Sequence, residues 1–470
     1  SSYKTITRDE VSKNADLISN IPVISQDVIL KMVSTHQDNS VYYSYKRTQL
    51  ANYEINGKKQ SVYITPREIL SGYDMSYNNR TFKYTHGYST IISSASDRDH
   101  NGYAEYLLSD FSNTVGNLKI TEPRIYFGMD TNSAIAVNTD FGKEYDYPIT
   151  ATTYEENVYK GNAGLNLGFW DKFILGLTNR NLKLAFSSYI KDDTKIIANR
   201  NILDRVRSVM PYIEYDSEPY LVITDSGKLV WVVDGYTTSS EYPYSQIVSV
   251  ENPNNEKEKI NYIRNSVKVL IDAYNGTTTF YITDKTDPII MAYKNMYPNL
   301  FAEDTIPEEI SKHFTYPKYL YKVQSKMIAT YHDVSADSIY RSDDIWQITP
   351  IALGTTNSKK TTSAMEPTYT VCKTPDSEEE QFGLVLTYNR QSKQNIISYL
   401  VGTCENGVPK LSLYKFSAEN NVVGIAQLNN QIEQDTTISS ELEKLNTSGT
   451  KLTREIKIIP INNTLLYVEP

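Results

Sequence analysis

Two apolar runs, Leu229–Tyr236 (LVWVVDGY) and Val267–Tyr274 (VKVLIDAY), end in near-matching Asp-x-Tyr triplets and constrain the fold more than any other stretch. Short β-branched runs bounded by turn residues read as strands. The second run leads through Asn275-Gly276 into another strand-like run, Thr277–Thr283. Asn-Gly tolerates positive φ at both central positions, so a tight hairpin is expected there. Upstream, Tyr220–Thr224 and Lys228–Asp234 flank the turn sequence Asp225-Ser226-Gly227. The same stretch opens with helix-like NRNILDRVRSVMPYI from Asn199. It closes with DPIIMAYKNMYP, where Asp287 is placed to cap a helix beginning at Pro288.

Around this centre the chain alternates between helix and strand signals. Thr7-Arg8-Asp9-Glu10 fits a capping box. Gln26–His36 carries Val28, Ile29, Met32 and Val33 at helical spacing. Val41–Tyr45 and Ser61–Thr65 read as strands, and Pro66 is expected to open a short helix through Gly72. Arg124–Gly128, Ser133–Thr139 and Leu182–Tyr189 read as strands, with a glycine-spaced turn over Lys160–Gly168. Thr305-Ile306-Pro307-Glu308 resembles a second capping box, and Lys318–Tyr331 presents Leu320, Val323 and Met327 on one helical face. Gly354–Ala364 reads as an exposed connector. Four strand runs follow: Thr368–Cys372, Gly383–Tyr388, Ile396–Cys404 and Lys410–Phe416. Asn430–Asn446 looks helical and Arg454–Val468 strand-like. The expected fold class is α+β, predominantly antiparallel β-sheets, with helical segments near the N-terminus and around 284–346. The expected regions are a mixed one at 1–120, a β-rich one at 121–350 and a β-meander at 365–470.

A chain of 470 residues can bury a sizeable core, and 40% hydrophobic with 22% charged residues is ordinary globular material. Its formal net charge is −9 and it has no clustered Lys/Arg patch, which argues against nucleic-acid binding. No apolar run approaches the ~20 residues of a membrane span. The chain starts SSYK, without Met or signal peptide, and reads as part of a longer protein. Tyrosine is over-used, at 39 residues against 12 Phe; its apolar ring and polar tip suit half-buried strands and recognition surfaces alike. Cys372 and Cys404 lie in strand-like runs, where they either pair or remain two thiols.

Motif searches for zinc proteases, nucleophile elbows and phosphate-cradling loops find nothing, and no catalytic set emerges. Asp97-Arg98-Asp99-His100-Asn101-Gly102 fits the start of a calcium loop, with Asp97, Asp99, Asn101 and Glu105 as ligands. Leu108 stands where the bidentate Glu belongs, so the competing reading is a surface hairpin closed by Asn101-Gly102. His86, in YTHGY, reads as a turn or core histidine. Glu144 and Asp146 in EYDYP, and Asp216 and Glu218 in YDSEPY, are spaced to share a strand face. Such a pair serves glycoside hydrolysis as acid and base, or bonds backbone amides at strand ends and turns. Asp234 and Asp272 end their apolar runs in matching contexts, which suggests structural roles at strand termini. Arg200, Arg205, Arg207 and Arg264 are expected to bind an anionic group or to pair with Asp204, Asp216 and Glu218.

Several phrases carry a resemblance: EPRIYFG (122–128), EYDYP (144–148), DRVRSVMPY (204–212), YDSEPYLVI (215–223), VWVVDGYTTS (230–239), NYIRNSVKVLIDAYNGT (261–277) and NNTLLYVEP (462–470). They resemble uncharacterised protein family 0182, bacterial multi-pass membrane proteins with a large soluble region after several N-terminal helices. The resemblance implies that this chain is the extracytoplasmic part of a plasma-membrane protein, attached through helices it does not contain. It implies no activity and no catalytic residues. The leading expectation is a binding or assembly module facing an envelope component or partner protein. A hydrolase of envelope glycan or peptide, and a cap or gate for a transported solute, are the alternatives.

Overall fold

Strands Leu229–Ser239 and Tyr262–Asp272 pair antiparallel and place Asp234 opposite Lys268. Val230, Trp231, Val232 and Val233 are all buried, as are Val269, Leu270 and Ile271, so both faces of the pair are covered. Burial on both faces explains why these strands read as continuous apolar runs. Thr278–Ile282, Tyr220–Ile223 and Glu214–Tyr215 complete a five-stranded antiparallel sheet.

The expected hairpin after Asp272 forms, but its turn is wider than two residues. The Gly276 amide donates to the Asp272 carbonyl at 2.7 Å, and the Asp272 amide to the Thr277 carbonyl at 3.1 Å. Gly276 has φ of +64° while Asn275 stays in the ordinary region. The Asp272 carboxylate decides this: its Oδ1 accepts from the amides of Tyr274 and Asn275 at 2.8 and 2.9 Å. A Cβ on Gly276 would meet the Phe127 ring at 2.4 Å.

In this computed structural model the described residues are 3–36, 42–69, 75–166, 168, 183, 187–333, 335–341, 344–356, 359–391, 393–447 and 455–470. The chain packs as two compact units, Ser25–His313 and Ser1–Ile24 with Phe314–Pro470. This differs from the three-region partition expected above, because the first two helices pack with the C-terminal strands. Within that unit Leu17 and Ile21 join Val371, Ile459 and Ile461 in one core cluster.

The Ser25–His313 unit begins with helix Gln26–His36, which buries Ile29, Met32 and Val33 and leaves Val28 exposed. A four-stranded antiparallel sheet follows, from Gln49–Ile55, Lys58–Pro66, Thr90–Arg98 and Ala104–Leu108. Pro66 does not open a helix: it ends a strand, and Glu68–Ile69 pairs with Tyr43–Ser44. Two-stranded ladders join Gly87–Tyr88 to Arg124–Ile125 and Glu144–Pro148 to Tyr154–Asn157. The strand expected over 182–189 lies mostly outside the described residues, and Ser187–Tyr189 is not strand. Asn201 caps helix Ile202–Val209 through the amides of Leu203 and Asp204. Asp287 caps Pro288–Met296 as its sequence indicates. Thr305 caps nothing: the short helix Glu308–Ser311 starts from Pro307 without a side-chain cap.

The other unit is built on a five-stranded antiparallel sheet of Trp346–Ile348, Thr368–Cys372, Gln381–Arg390, Ile396–Glu405 and Val408–Lys415. Helix Lys318–Tyr331 packs its Tyr319, Leu320, Tyr321 and Val323 inward. The expected connector is instead a strand pair, Pro350–Thr356 with Lys359–Ala364, in keeping with its β-branched threonines. Arg454–Val468 is not one strand but a hairpin of Lys457–Ile461 and Thr464–Val468, reversing at Asn462 with φ of 54°. Asp435 splits the expected C-terminal helix into Ile425–Gln434 and Thr436–Thr447 and caps the second. Cys372 and Cys404 are not in a disulfide.

Candidate functional site

The strand Glu144–Pro148 carries the chemistry of the Ser25–His313 unit. Alternation puts Glu144 and Asp146 on one face, and both are buried. The short strand Gly87–Tyr88 brings His86 between them. Its Nε2 lies 3.1 Å from Asp146 Oδ1, and its Nδ1 lies 2.9 Å from Thr85 Oγ1 and 3.5 Å from Glu144 Oε2. The single hydroxyl hydrogen of Thr85 goes to Glu144 Oε2. Thr85 can therefore only accept from Nδ1, and an ionised Asp146 can only accept from Nε2. In this arrangement both ring nitrogens are placed as donors, the pattern of an imidazolium. Its pKa agrees: burial opposes the charge, but the bonds to Asp146 and Glu144 outweigh burial and raise it.

Arg124 closes the other side, donating from Nε and Nη2 to the two Asp146 oxygens at 2.9 and 2.7 Å. Burial disfavours the Asp146 charge, yet His86 and Arg124 hold its pKa below the usual value. Glu144 also accepts from the Tyr126 hydroxyl at 2.7 Å and the Tyr159 amide at 3.0 Å. With both nitrogens placed as donors, His86 has no lone pair to act as a base. It is a core histidine, joining segments far apart in sequence.

Tyr145 and Tyr147 project from the other face of the same strand and belong to a group of aromatic side chains. Tyr84 stacks on Tyr42 at 4.0 Å between centroids and meets Tyr145 at 5.1 Å; Tyr145 meets Tyr154 at 5.0 Å. Lys83 Nζ sits 4.7 Å from the Tyr154 ring centre and donates to its hydroxyl at 2.8 Å. Beside it, Phe111 stacks on Tyr147 and contacts Tyr43 and Tyr88. Tyr42, Lys83, Tyr84, Phe111, Tyr147 and Tyr154 are all only partly buried. Four of the 39 tyrosines, Tyr42, Tyr84, Tyr147 and Tyr154, are half-exposed among these contacts, while Tyr43, Tyr88 and Tyr145 are buried.

The other carboxylates named from sequence do not converge on a cleft. Asp216 Oδ1 accepts from the Glu218 amide at 3.0 Å and Oδ2 from the Tyr236 hydroxyl at 2.7 Å. Burial, with the charge of nearby Asp234, raises its pKa. Asp234 is not at a strand end; it sits mid-strand against Lys268 and Asn265. Asp272 is the turn cap described above. Asp97, Asp99, Asn101 and Glu105 form no ligand set. Asp99 Oδ1 accepts from the amides of Asn101 and Tyr103, while Asp97 Oδ2 accepts from Ser94 and Ser96. Gly102 has φ of +83°, so the segment is the turn of a hairpin. No three His, Cys, Asp or Glu side chains are placed to hold a metal ion among the described residues.

None of the four arginines pairs with Asp204, Asp216 or Glu218. Arg200 is fully buried and donates to the carbonyls of Tyr126 at 2.7 Å, Ser133 at 3.1 Å and Thr85. Arg205 reaches Thr278 and lies over the Phe127 ring, Arg207 reaches Asn254, and Arg264 pairs with Asp284. A residue the sequence reading missed is Arg67, buried against Phe111. The one signal for the ionic cluster was the i, i+2 spacing in EYDYP.

No helix among the described residues is long and apolar enough to cross a membrane. No solved structure matches the chain. A protein of Caldicellulosiruptor saccharolyticus described as a UPF0182 protein is 36% identical over 99% of this chain and 50% of its own length. UPF0182 proteins of Clostridium botulinum (strain Kyoto / Type A2) and Clostridium kluyveri are each 35% identical, over 99% of this chain and 51% and 50% of their lengths. The chain thus spans about half the length of the curated relatives it matches. The profile of Uncharacterised protein family (UPF0182) matches residues 1–445, and the chain belongs to that family.

Proposed function

We propose that this chain is a non-enzymatic binding or assembly module of a larger membrane protein, working on the extracytoplasmic side against an envelope component or partner protein. The half of the relatives' length not spanned here is where a membrane anchor would lie. The observation that carries the binding reading is a contrast within the Ser25–His313 unit. Each acidic group of the pairs named above, apart from Glu218, is held by the protein's own amides, hydroxyls or cations, while six nearby aromatic and basic side chains stay half-exposed. Tyrosine and a cation over tyrosine are groups that recognition surfaces favour.

The test is calorimetric titration of the chain with peptidoglycan fragments, envelope sugars and phospholipid vesicles, repeated with Tyr84→Ser and Tyr154→Ser. Binding that both substitutions weaken at unchanged Tm supports the reading. Binding that neither alters places the site elsewhere. Release of reducing ends or free amines from the glycan or peptide probes overturns it in favour of hydrolysis.

A further inference from the structure

We propose that Arg67 anchors a binding site for a small oxyanion, a carboxylate or a phosphate. This deepens the binding reading and rests on it for the rest of the ligand. The guanidinium is fully buried. Its Nη2 donates to the carbonyls of Ser109 and Asp110, the latter at 3.3 Å. Its Nε and Nη1 meet no acceptor in good hydrogen-bond geometry, and the Tyr45 hydroxyl is the side-chain group that favours its charge there. The arginines that form ion pairs among the described residues are Arg47, Arg124, Arg264 and Arg390, and Arg67 is not one of them.

Arg200 is the internal control. It too is buried without a carboxylate, but its Nε, Nη1 and Nη2 each meet a carbonyl. That is how this fold treats an arginine whose role is structural. A buried cation left with idle donors is strongly unfavourable, because its lost hydration is not replaced. An anion at Nε or Nη1 replaces it.

The surroundings suit the charged end of a ligand. The register Tyr43↔Ile69 and Ser44↔Glu68 puts Tyr43, Tyr45 and Arg67 on one face of their ladder. Phe111 covers the guanidinium at 4.6 Å and is only half-buried, so displacement of its ring opens a path to Arg67. Phe111 also belongs to the aromatic group, which places the oxyanion site at the edge of that group.

The experiment is thermal unfolding of the wild-type chain in rising inorganic phosphate, sodium acetate or sodium chloride at matched ionic strength. The expected result is a saturable rise in Tm with phosphate or acetate beyond that with chloride, since a ligand of the native state stabilises by mass action. The anion that acts distinguishes phosphate from carboxylate. Arg67→Met abolishes the rise. Arg67→Lys, kept as a second variant should Arg67→Met not fold, retains a charge but not the planar fork and weakens binding by roughly 10-fold or more. No oxyanion effect on the wild type beyond chloride overturns the proposal, as does an undiminished effect in either variant. Tyr84→Ser does not touch Arg67 and leaves the anion response intact, so failure of the aromatic group and failure of this site are told apart.

Discussion

His86 and Asp146, 60 residues apart in sequence, meet at 3.1 Å with both side chains buried. Their pairing makes the stability of the Ser25–His313 unit pH-dependent. The His86 pKa is raised in the fold, so its contribution is fully present below the ordinary value of 6.5 and is lost as pH rises through the folded value. The Asp146 pKa is lowered, so its contribution is present above 3.8 and is lost as pH falls through the folded value. Glu68, pushed up to about 7 by burial and by Asp130, favours its neutral form and adds to the loss between 4.5 and 7. The joint contribution of His86 and Asp146 is therefore expected to be greatest between about pH 4 and 6.5, with Glu68 subtracting from the unit's stability above 4.5. His86→Gln lowers Tm most in that window, and the difference from wild type shrinks above it. A Tm difference that is flat from pH 5 to pH 9 contradicts an imidazolium at His86.

Asp272 holds its turn with two bonds from one oxygen. Losing such a cap typically costs ~1–2 kcal/mol. Asp272→Ala should shift the urea midpoint to lower concentration at constant m-value. Asp272→Asn, which keeps an acceptor oxygen, should recover most of the loss. An unchanged midpoint in the alanine variant means that the turn holds without its cap.

What the sequence made legible was what neighbours in sequence decide. Gln26–His36 and Lys318–Tyr331 were readable end to end, because helical periodicity and termini lie within a few residues. The Asp287 cap was readable for the same reason. Register was not. Lys268 interrupts an apolar run, and only strand pairing reveals that Asp234 stands opposite it. Pro66 looked like a helix start because the partner strand of Glu68–Ile69 lies about 25 residues upstream. The ionic cluster draws on residues 85–86, 122–126, 144–146 and 157–159, so EYDYP alone could not announce it. Arg67 was illegible for a stronger reason: what distinguishes it is the lack of well-placed acceptors at Nε and Nη1, a property of three dimensions.

The two thiols should behave differently. Cys372 is fully buried, and burial pushes its pKa up to about 12, whereas Cys404 is partly exposed. Thiolate is the reacting species, so Cys372 should be inert in the native state. Titration with a disulfide reagent is expected to modify at most Cys404 before unfolding and both residues in denaturant. Rapid native modification of Cys372, located by mass spectrometry, contradicts its place in the core.

Calcium tests the 97–105 segment directly. The Asp99 carboxylate accepts from two turn amides, at 2.8 and 3.0 Å, and the segment is a closed hairpin. Millimolar calcium should leave Tm where equal ionic strength of sodium chloride leaves it, while Asp99→Ala should loosen the turn and raise amide exchange at Asn101 and Tyr103. A saturable calcium-specific rise in Tm that Asp99→Ala removes would mean that the turn opens to form a ligand set.

The last prediction concerns Gly128 and Glu68. Glu68 accepts from the amides of Met129 at 2.9 Å and Asp130 at 2.7 Å, and from the Thr131 hydroxyl at 2.9 Å. The carboxylate lies so close to the backbone that a Cβ on Gly128 would fall 2.2 Å from Oε2. Gly128→Ala must therefore move a buried carboxylate off three donors, and overpacking of this kind typically costs about 1–3 kcal/mol. Glu68→Ala strands the same three donors. Because both changes break one arrangement, their effects should not add: the double variant should be more stable in urea than the sum of the two losses predicts. Strict additivity would mean that Gly128 acts on something other than Glu68.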